Sequence, residues 1–366
     1  MDPDGGSGFL PPKTRANTDE TVDASHLQEK DVRFANATTV KEARKPVEPL
    51  AKKIERAGEV KQATLTAMTS MFQRVAQNGS VGVQEARETV SPMIDSIVDD
   101  PRALLSLVNL KNADNYTFMH SVNVTILALS LTVYLGAPRE VLDELGVGAL
   151  MHDIGKTHTP IAVLHKPAPL SDHEMTIMRR HPVEGARILT ASGGYSELAL
   201  SIVLDHHEDI SGNGYPCGKR GGDISVCAQI TSIADIYDAL TTERPYRRAL
   251  SHMEALTLMK NNFVASLNQG YLSHFMAMLG RYPIGTVVEL TNGCSARVVE
   301  TDSSLPPQPS IMQITRMPDG SQPTQPLIFD LSVQKNVSIR HARCVEVLDD
   351  AIQVATREYK PFLAAA

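Results

Sequence analysis

Helical periodicity from Ala63 to about residue 280 is the feature that most constrains the fold of this chain. Apolar residues at the start of this region recur at spacings of three and four, as on one face of an α-helix. Pro and Gly mark junctions such as LGAPRE and LHKPAPLSD, where turns are expected. The sequence therefore predicts a mainly α fold, a helical bundle with a first helix from Ala63 and a second at about 83–99.

The character of the sequence changes near residue 283. β-Branched residues alternate around Asn292-Gly293 in RYPIGTVVELTNGCSARVVE, and Asn-Gly is the strongest short-range signal for a hairpin. The short apolar runs SIMQITRM and PLIFDLS follow, separated by turn-forming residues. We therefore expect three parts: a flexible leader at 1–60, a helical domain at 61–282 and a small β-rich C-terminal module at 283–366.

Composition excludes several classes of protein. Apolar residues make up 42% of the 366 residues, enough for a sizeable core, and the net charge of −7 argues against a general nucleic-acid binder. The four cysteines form no CxxC pair, and MDPDGGSGFLPPK lacks the pattern of a secretory signal. The apolar stretch at 122–136 is shorter than the roughly 20 residues of a membrane span. We expect a cytoplasmic protein without a membrane span.

The string LMHDIGK at 150–156 concentrates potential metal ligands at the end of an apolar run. His152 and Asp153 are adjacent, and Lys156 follows at a spacing that places its ammonium on their face of a helix. An imidazole and a carboxylate are costly to bury without partners. A metal cation would offset that cost, and the two oxygens of Asp153 could bridge two ions.

Other segments supply the same ligand types at regular intervals. His120 opens the apolar helix, His181 stands before a proline, and Asp235 lies within the apolar run ITSIADIYDAL. His206 and His207 are paired in HHEDISGNGYP. Gaps of 32, 28, 25 and 28 residues separate successive ligand positions, each about one helix hairpin, so a bundle could bring them to a common point. Any single histidine would more often be a packed or surface residue, but the joint pattern indicates a metal site.

The number of ligands indicates more than one ion. Five histidines and two aspartates exceed the ligands of a four-coordinate zinc. They suit two divalent first-row ions, iron or manganese first, with nickel or zinc as alternatives. Two such ions are suited to an in-line phosphoryl displacement. The other seven histidines lack this context and are predicted to be surface or loop residues: His26, His158, His165, His173, His252, His274 and His341.

These strings, together with YTFMHSVNV, MRRHPVEGA and IADIYDALTTERPYRRAL, resemble the HD-GYP family of the HD phosphohydrolase superfamily, whose members degrade cyclic di-GMP. The resemblance covers about 110–250 and weakens towards residue 300. It implies a two-metal phosphodiesterase with Asp153 as the bridging carboxylate and Lys156 facing the scissile phosphate. The metal ligands that it implies are His120, His152, Asp153, His181, His206, His207 and Asp235.

The resemblance also implies substrate-binding residues. Arg244 and Arg247 match positions that bind the dinucleotide, and guanidinium geometry suits phosphate or guanine edges. A solvated charged face is the alternative for this pair. Tyr215 is expected either to stack on a guanine base or to shape the loop.

Three departures qualify the resemblance. Family members with a third metal carry a glutamate at the position of Tyr116, so two metals are expected here. Ser211 replaces an aspartate of the signature loop, which predicts an altered loop geometry or partner surface without loss of the metals. In the subgroup that the chain resembles, a string like DPDGGSGF closes an N-terminal domain of unknown function, so most of that domain is expected to be absent.

The main functional hypothesis is hydrolysis of cyclic di-GMP to pGpG, with GMP as a further product, which would lower a bacterial second messenger. A second hypothesis keeps the chemistry and changes the substrate to another cyclic dinucleotide, such as cyclic GMP-AMP. A third is a signalling adaptor whose GYP loop docks GGDEF-type cyclases, and eroded ligands would favour it. The oligomeric state is left open, with a dimer as one candidate.

Overall fold

The structure is a computed structural model, and it describes residues 50–108, 116–243, 248–283, 286–302, 308–323, 327–331 and 337–342. All of these lie in one unit of the chain, Pro46–Ala366. The predicted leader is therefore described only from Leu50 onward. Most of the described residues are helical, and a five-stranded sheet follows the helices.

The helices alternate with short connections, as the periodicity predicted. The α-helices are α1 Leu50–Asn78, α2 Val83–Asp99, α3 Pro101–Val108, α4 Tyr116–Tyr134, α5 Arg139–Met151, α6 Ile161–Leu164, α7 Asp172–Met178, α8 His181–Ser192, α9 Glu197–Asp205, α10 Val226–Thr241, α11 His252–Asn262 and α12 Gln269–Leu279. Short 3-10 helices occupy Ile154–His158 and Gly221–Asp223.

The first helix begins earlier than the sequence predicted, at Leu50 instead of Ala63. The charged segment before Ala63 packs one side on the core, where Ala57 is fully buried. The Nζ of Lys61 donates a hydrogen bond of 2.5 Å to the carbonyl oxygen of Leu107 in α3. Tertiary contacts therefore stabilise a helix whose own apolar periodicity is weak. The predicted second helix at 83–99 is confirmed.

Helix α4 lies at the centre of the bundle, packed between α5 and α10. Its apolar residues between Val122 and Leu131 are buried, and so are the polar Asn123 and Thr125. This burial explains why its sequence is apolar on every side. Within the described ranges, no helix has both the length and the apolar character needed to cross a bilayer.

The C-terminal module is an antiparallel sheet in the order β4-β3-β2-β1-β5. Its strands are β1 Val287–Leu290, β2 Ser295–Thr301, β3 Pro309–Arg316, β4 Leu327–Asp330 and β5 Ile339–Ala342. The predicted hairpin joins β1 to β2, and Gly293 adopts the positive φ of 83° that this turn requires. The small β-rich module is thus confirmed for its described residues.

Candidate metal centre

Helix ends carry most of the predicted ligands to one buried point. His120 lies in the first turns of α4, and His152 and Asp153 directly follow α5. His181 is the first residue of α8, and the pair after α9 begins at His206. The remaining two predicted ligands are His207, which follows His206, and Asp235, which lies within α10. A helical bundle can bring side chains from several helices to one point in its core.

Two groups of three ligands are close enough to hold a metal ion each. Ligand atoms within each group lie within 4.8 Å of one another. One group is His120, His152 and Asp153, and the other is His181, His206 and His207. The structure therefore brings together residues that are widely separated in sequence, as the spacing predicted.

Asp153 lies between the two groups. Its Oδ1 is 3.4 Å from Nε2 of His181, and its Oδ2 is 3.4 Å from Nε2 of His152 and 4.0 Å from Nε2 of His120. Each oxygen thus faces a different cluster of imidazoles. This arrangement is the one expected of a carboxylate that bridges two ions.

Asp235 links the remaining ligands from the middle of α10. Its Oδ1 is 3.0 Å from Nε2 of His120, and its Oδ2 is 3.7 Å from Nδ1 of His207. Both predicted aspartates therefore contact histidines of the centre.

Three histidines are held in the tautomer that leaves Nε2 free to bind a metal. The Nδ1–H groups of His152, His181 and His206 donate to backbone carbonyls three residues earlier, at 2.8, 2.8 and 2.9 Å. The Nε2 atoms of His181 and His206 lie 3.2 Å apart. Two lone pairs facing each other at this distance repel, and a cation between or beside them removes the repulsion.

His120 is oriented by a carboxylate that the sequence analysis did not select. Its Nδ1–H donates to Oδ2 of Asp238 at 2.8 Å, and Oδ1 of Asp238 accepts from Asn123 at 3.0 Å. A ligating histidine commonly donates its second N–H to a carboxylate in this way. Asp238 follows Asp235 by three residues in α10, so the helical spacing of two acidic residues in an apolar run was the available signal.

Buried polar atoms that lack hydrogen-bond partners indicate whether these residues suit a metal ion. Nε2 of His152 and Oδ1 of Asp153 are buried and lack a hydrogen-bond partner of good geometry. Leaving such atoms unsatisfied is costly. A metal ion would satisfy both, and the N and O donors present are ones that divalent first-row ions accept.

Burial sets the protonation of the imidazoles. It lowers the pKa of His181 and His206 well below the usual 6.5, and it lowers the pKa of His207 to about 4. These three rings are therefore neutral near pH 7, as metal binding requires. Burial acts in the same direction on His120, but its hydrogen bonds to Asp235 and Asp238 outweigh burial and raise its pKa to about 9.

The carboxylates of the centre stay ionised. Burial alone would raise the pKa of Asp153, but the positive charge of Lys156 holds it well below the usual 3.8. The pKa of Asp235 is also lowered, because its hydrogen bond to His120 outweighs burial. Ionised carboxylates beside the neutral imidazoles of His181, His206 and His207 form a site suited to a cation.

Lys156 lies on the same side as the ligands, as predicted. It belongs to the 3-10 helix that follows Asp153, and its Nζ donates to Oδ2 of Asp153 at 2.6 Å. Gly155 beside it permits a close approach to α8. A Cβ built on Gly155 would lie 1.9 Å from the carbonyl oxygen of His181 and 2.5 Å from the backbone nitrogen of Gly185.

The loop after His207 is organised by two buried carboxylates. The side chain of Glu208 accepts from the backbone nitrogens of Cys217 and Lys219, at 2.6 and 3.0 Å. Oδ1 of Asp209 accepts from the backbone nitrogen of Ser211 at 2.7 Å and also from its hydroxyl. Ser211 therefore supports the turn, although it replaces the aspartate of the signature loop.

Tyr215, in the same loop, stacks on one of the predicted metal ligands. Its ring lies 4.8 Å from the ring of His207 at an interplanar angle of 27°. Burial raises the pKa of Tyr215 well above 10, so it remains a neutral phenol. The contact favours a role in shaping the site over a role as a free stacking surface. Arg244 and Arg247 fall outside the described residues.

One histidine contradicts its prediction as a surface or loop residue. His252, at the start of α11, is buried, with Nδ1 2.8 Å from the hydroxyl of Tyr237 and Nε2 3.1 Å from the carbonyl oxygen of Gly280. Both ring nitrogens are satisfied within the protein, so His252 packs in the core. The sequence around His252 does not indicate hydrogen bonds to residues this far away along the chain.

The geometry can be compared with known proteins. Residues 93–263 match the family model described as the HD domain. The fold is similar to that of an HDG"Y"P protein from Bdellovibrio bacteriovorus, with a TM-score of 0.52, 22% identity, and coverage of 66% of this chain and 73% of that one. The predicted HD-type helical fold is confirmed by this likeness.

Two curated relatives are similar in sequence. The cyclic di-GMP phosphodiesterase PA4108 of Pseudomonas aeruginosa is 35% identical over 261 residues, which are 70% of this chain and 63% of that protein. The 3'3'-cGAMP-specific phosphodiesterase 1 of Vibrio cholerae is 34% identical over 168 residues, which are 46% of this chain and 38% of that protein. The chain thus spans less than two thirds of the length of either relative.

Proposed function

We propose that this protein is a metal-dependent phosphodiesterase that hydrolyses cyclic di-GMP to pGpG, with GMP as a further product. The observation that carries the proposal is the position of Asp153, whose two oxygens face different imidazole clusters while Lys156 donates to it at 2.6 Å. Similarity to the cyclic di-GMP phosphodiesterase of Pseudomonas aeruginosa supports the substrate. Such an enzyme would act in the cytoplasm and lower a bacterial second messenger.

The proposal assigns two divalent ions to the centre, iron or manganese first and nickel or zinc as alternatives. Its ligands would be His120, His152, Asp153, His181, His206, His207 and Asp235. Two ions of this kind would supply a nucleophile by lowering the pKa of a bound water and would polarise the phosphoryl group. The mixture of imidazole and carboxylate donors supports first-row transition ions over magnesium or calcium.

Lys156 is the cationic group that the chain itself supplies to the reaction. In the free protein its ammonium is held by Asp153. With substrate bound, its remaining N–H donors can reach phosphoryl oxygens, where they stabilise the negative charge that develops in the transition state. The same ammonium can give a proton to the leaving ribose oxygen.

The substrate could instead be cyclic GMP-AMP. The 34% identity to the cGAMP-specific enzyme of Vibrio cholerae nearly equals the identity to the cyclic di-GMP enzyme. Arg244 and Arg247 remain the proposed contacts to the nucleotide, and Tyr215 is proposed to shape the loop at the metal centre. Parallel measurement of kcat/KM on both dinucleotides separates the two substrates.

An adaptor that docks GGDEF-type cyclases through the GYP loop is the alternative from another class. Erosion of the metal ligands would favour it. Instead, six of the predicted ligands form two compact groups, with ligand atoms within 4.8 Å in each. Metal-loaded protein that binds a cyclase and hydrolyses no dinucleotide would establish the adaptor.

The experiment that tests the proposal is anaerobic purification with metal analysis, followed by a product assay on cyclic di-GMP. Asp153→Ala should abolish pGpG formation and lower metal content. Asp143→Ala is the matched control, because Asp143 lies on α5 and is partly exposed in an ion pair with Arg139. Unchanged pGpG production by metal-replete Asp153→Ala protein would refute the proposed function.

A further inference from the structure

Arg179 lies beside the metal centre but is not one of its predicted ligands. It directly follows α7 as the C-cap, two residues before the ligand His181, and its backbone nitrogen donates to the carbonyl of Met175 at 2.9 Å. Its guanidinium carbon is 5.2 Å from the centre of the Tyr215 ring. That ring in turn stacks on His207. A row of planar groups therefore runs from a metal ligand to a cation.

The guanidinium of Arg179 lacks an anionic partner within the described part of the chain. Its side chain forms no hydrogen bond or ion pair with the residues described, and its Nε is buried without a hydrogen-bond partner. Other arginines of this protein are paired, as Arg102 is with Asp100 and Arg139 is with Asp143. A buried donor without a partner is costly. Such a donor is suited to an anion that arrives from outside.

The contact with Tyr215 positions the cation without using its donors. A cation–π interaction engages the charge of the guanidinium and leaves the N–H groups available. The planar fork of these groups matches two oxygens of a phosphate. Because the side chain is already held in place, less conformational entropy is lost when it binds an anion.

The proposed substrate supplies a suitable anion. A cyclic dinucleotide carries two phosphodiesters, and only one of them can occupy the metal centre beside Lys156 at a time. The second phosphate must lie elsewhere on the protein. We propose that Arg179 binds this non-reacting phosphate and so selects cyclic dinucleotides over substrates with a single diester. The inference rests on the proposed function.

The test compares two substrates on the metal-loaded enzyme. Cyclic di-GMP has two phosphates, whereas bis(p-nitrophenyl) phosphate has one. Arg179→Gln should lose about 10- to 100-fold in kcat/KM on cyclic di-GMP, mainly through KM, as expected for loss of a charge-assisted hydrogen bond. Its kcat/KM on the small diester and its metal content should match wild type. Arg179→Lys should recover part of the loss, since a lysine keeps the charge but lacks the fork.

Arg139→Gln is the matched control. It removes the same charge at the opposite end of α5 from His152, roughly 20 Å away at 1.5 Å per residue, and should leave both activities unchanged. Equal loss on the two substrates in Arg179→Gln, or loss on neither, would overturn the role of Arg179. Wild-type protein that cleaves the small diester but neither cyclic di-GMP nor 3'3'-cGAMP would overturn the proposed function itself.

Discussion

The close approach of Gly155 to α8 predicts that one added methyl group will dismantle the metal centre. In Gly155→Ala the new Cβ would meet the carbonyl oxygen of His181 at 1.9 Å, and both atoms belong to segments that carry ligands. Neither partner is a flexible side chain that can turn away. The 3-10 helix and the first turn of α8 must therefore move apart.

The size of this movement can be worked from the structure. A Cβ atom essentially never lies closer than 3.0 Å to a heavy atom, so the contact at 1.9 Å must open by about 1.1 Å. Functional constellations tolerate errors of only about 0.5 Å. The 3.4 Å separation between Oδ1 of Asp153 and Nε2 of His181 spans the same two segments and would widen with them. Overpacking of this kind costs about 1–3 kcal/mol of unfolding free energy.

The assay measures metal ions per chain after anaerobic loading, together with urea unfolding and turnover of cyclic di-GMP. Gly155→Ala should lose metal and activity. Gly185→Ala should show a milder loss, because its nearest neighbour is a side-chain carbon of Val203 at 2.9 Å, which can yield. Gly58→Ala is the control, since a Cβ there meets nothing within 4 Å in α1. It should gain about 0.4–1 kcal/mol and keep its metals.

The decisive result is the order of metal loss among the three variants, which should be largest in Gly155→Ala, milder in Gly185→Ala and absent in Gly58→Ala. Folded Gly155→Ala protein with wild-type metal content and turnover would refute the argument that this contact sets the ligand geometry. So would equal metal loss in Gly155→Ala and Gly58→Ala.

Three further predictions concern other residues. Lys156→Ala should lower kcat by about 10²- to 10³-fold at unchanged metal content, measured by turnover and metal analysis; loss of metal would contradict a role limited to the reaction step. Asp238→Asn should weaken metal binding about 10- to 100-fold through misorientation of His120, measured by competition with a chelating dye; wild-type affinity would contradict the orienting role. Burial lowers the pKa of His252 from 6.5 to about 4. As the pH falls between these values, His252 takes up a proton in the unfolded chain before it does so in the folded chain, and the free energy of unfolding therefore falls. His252→Gln should remove about 3 kcal/mol of this pH dependence, measured by urea unfolding from pH 7 to pH 4; an unchanged slope would contradict the argument.

The sequence predicted the elements of the site better than their arrangement. Adjacent ligands such as His152 and Asp153, and their spacing from the other segments, were enough to predict a shared metal centre. Tyr215 was expected either to stack on a guanine base or to shape the loop. The sequence left both open, because a loop conformation depends on which backbone groups its carboxylates bind. Asp238 was missed because a buried carboxylate behind a ligand has no signal apart from its helical spacing.

The beginning of the fold was predicted less well. Residues between Leu50 and Ala63 are charged and lack strong periodicity, yet they form the first turns of α1. Contacts with distant residues, such as the hydrogen bond from Lys61 to Leu107, stabilise this segment. Local sequence patterns do not contain such contacts. The same reason explains the misplacement of His252, whose partners Tyr237 and Gly280 are distant in sequence.

The internal support of the loop after His207 has a consequence for how this protein can change. Glu208 and Asp209 hold the loop from within by accepting backbone hydrogen bonds. Asn213 and Cys217 are exposed on its outer face. Substitutions on that face need not disturb the histidines at the base of the loop, because the turn depends on buried carboxylates. During evolution, the outer surface of the loop can therefore change its binding partners while the chemistry of the site beneath it stays the same.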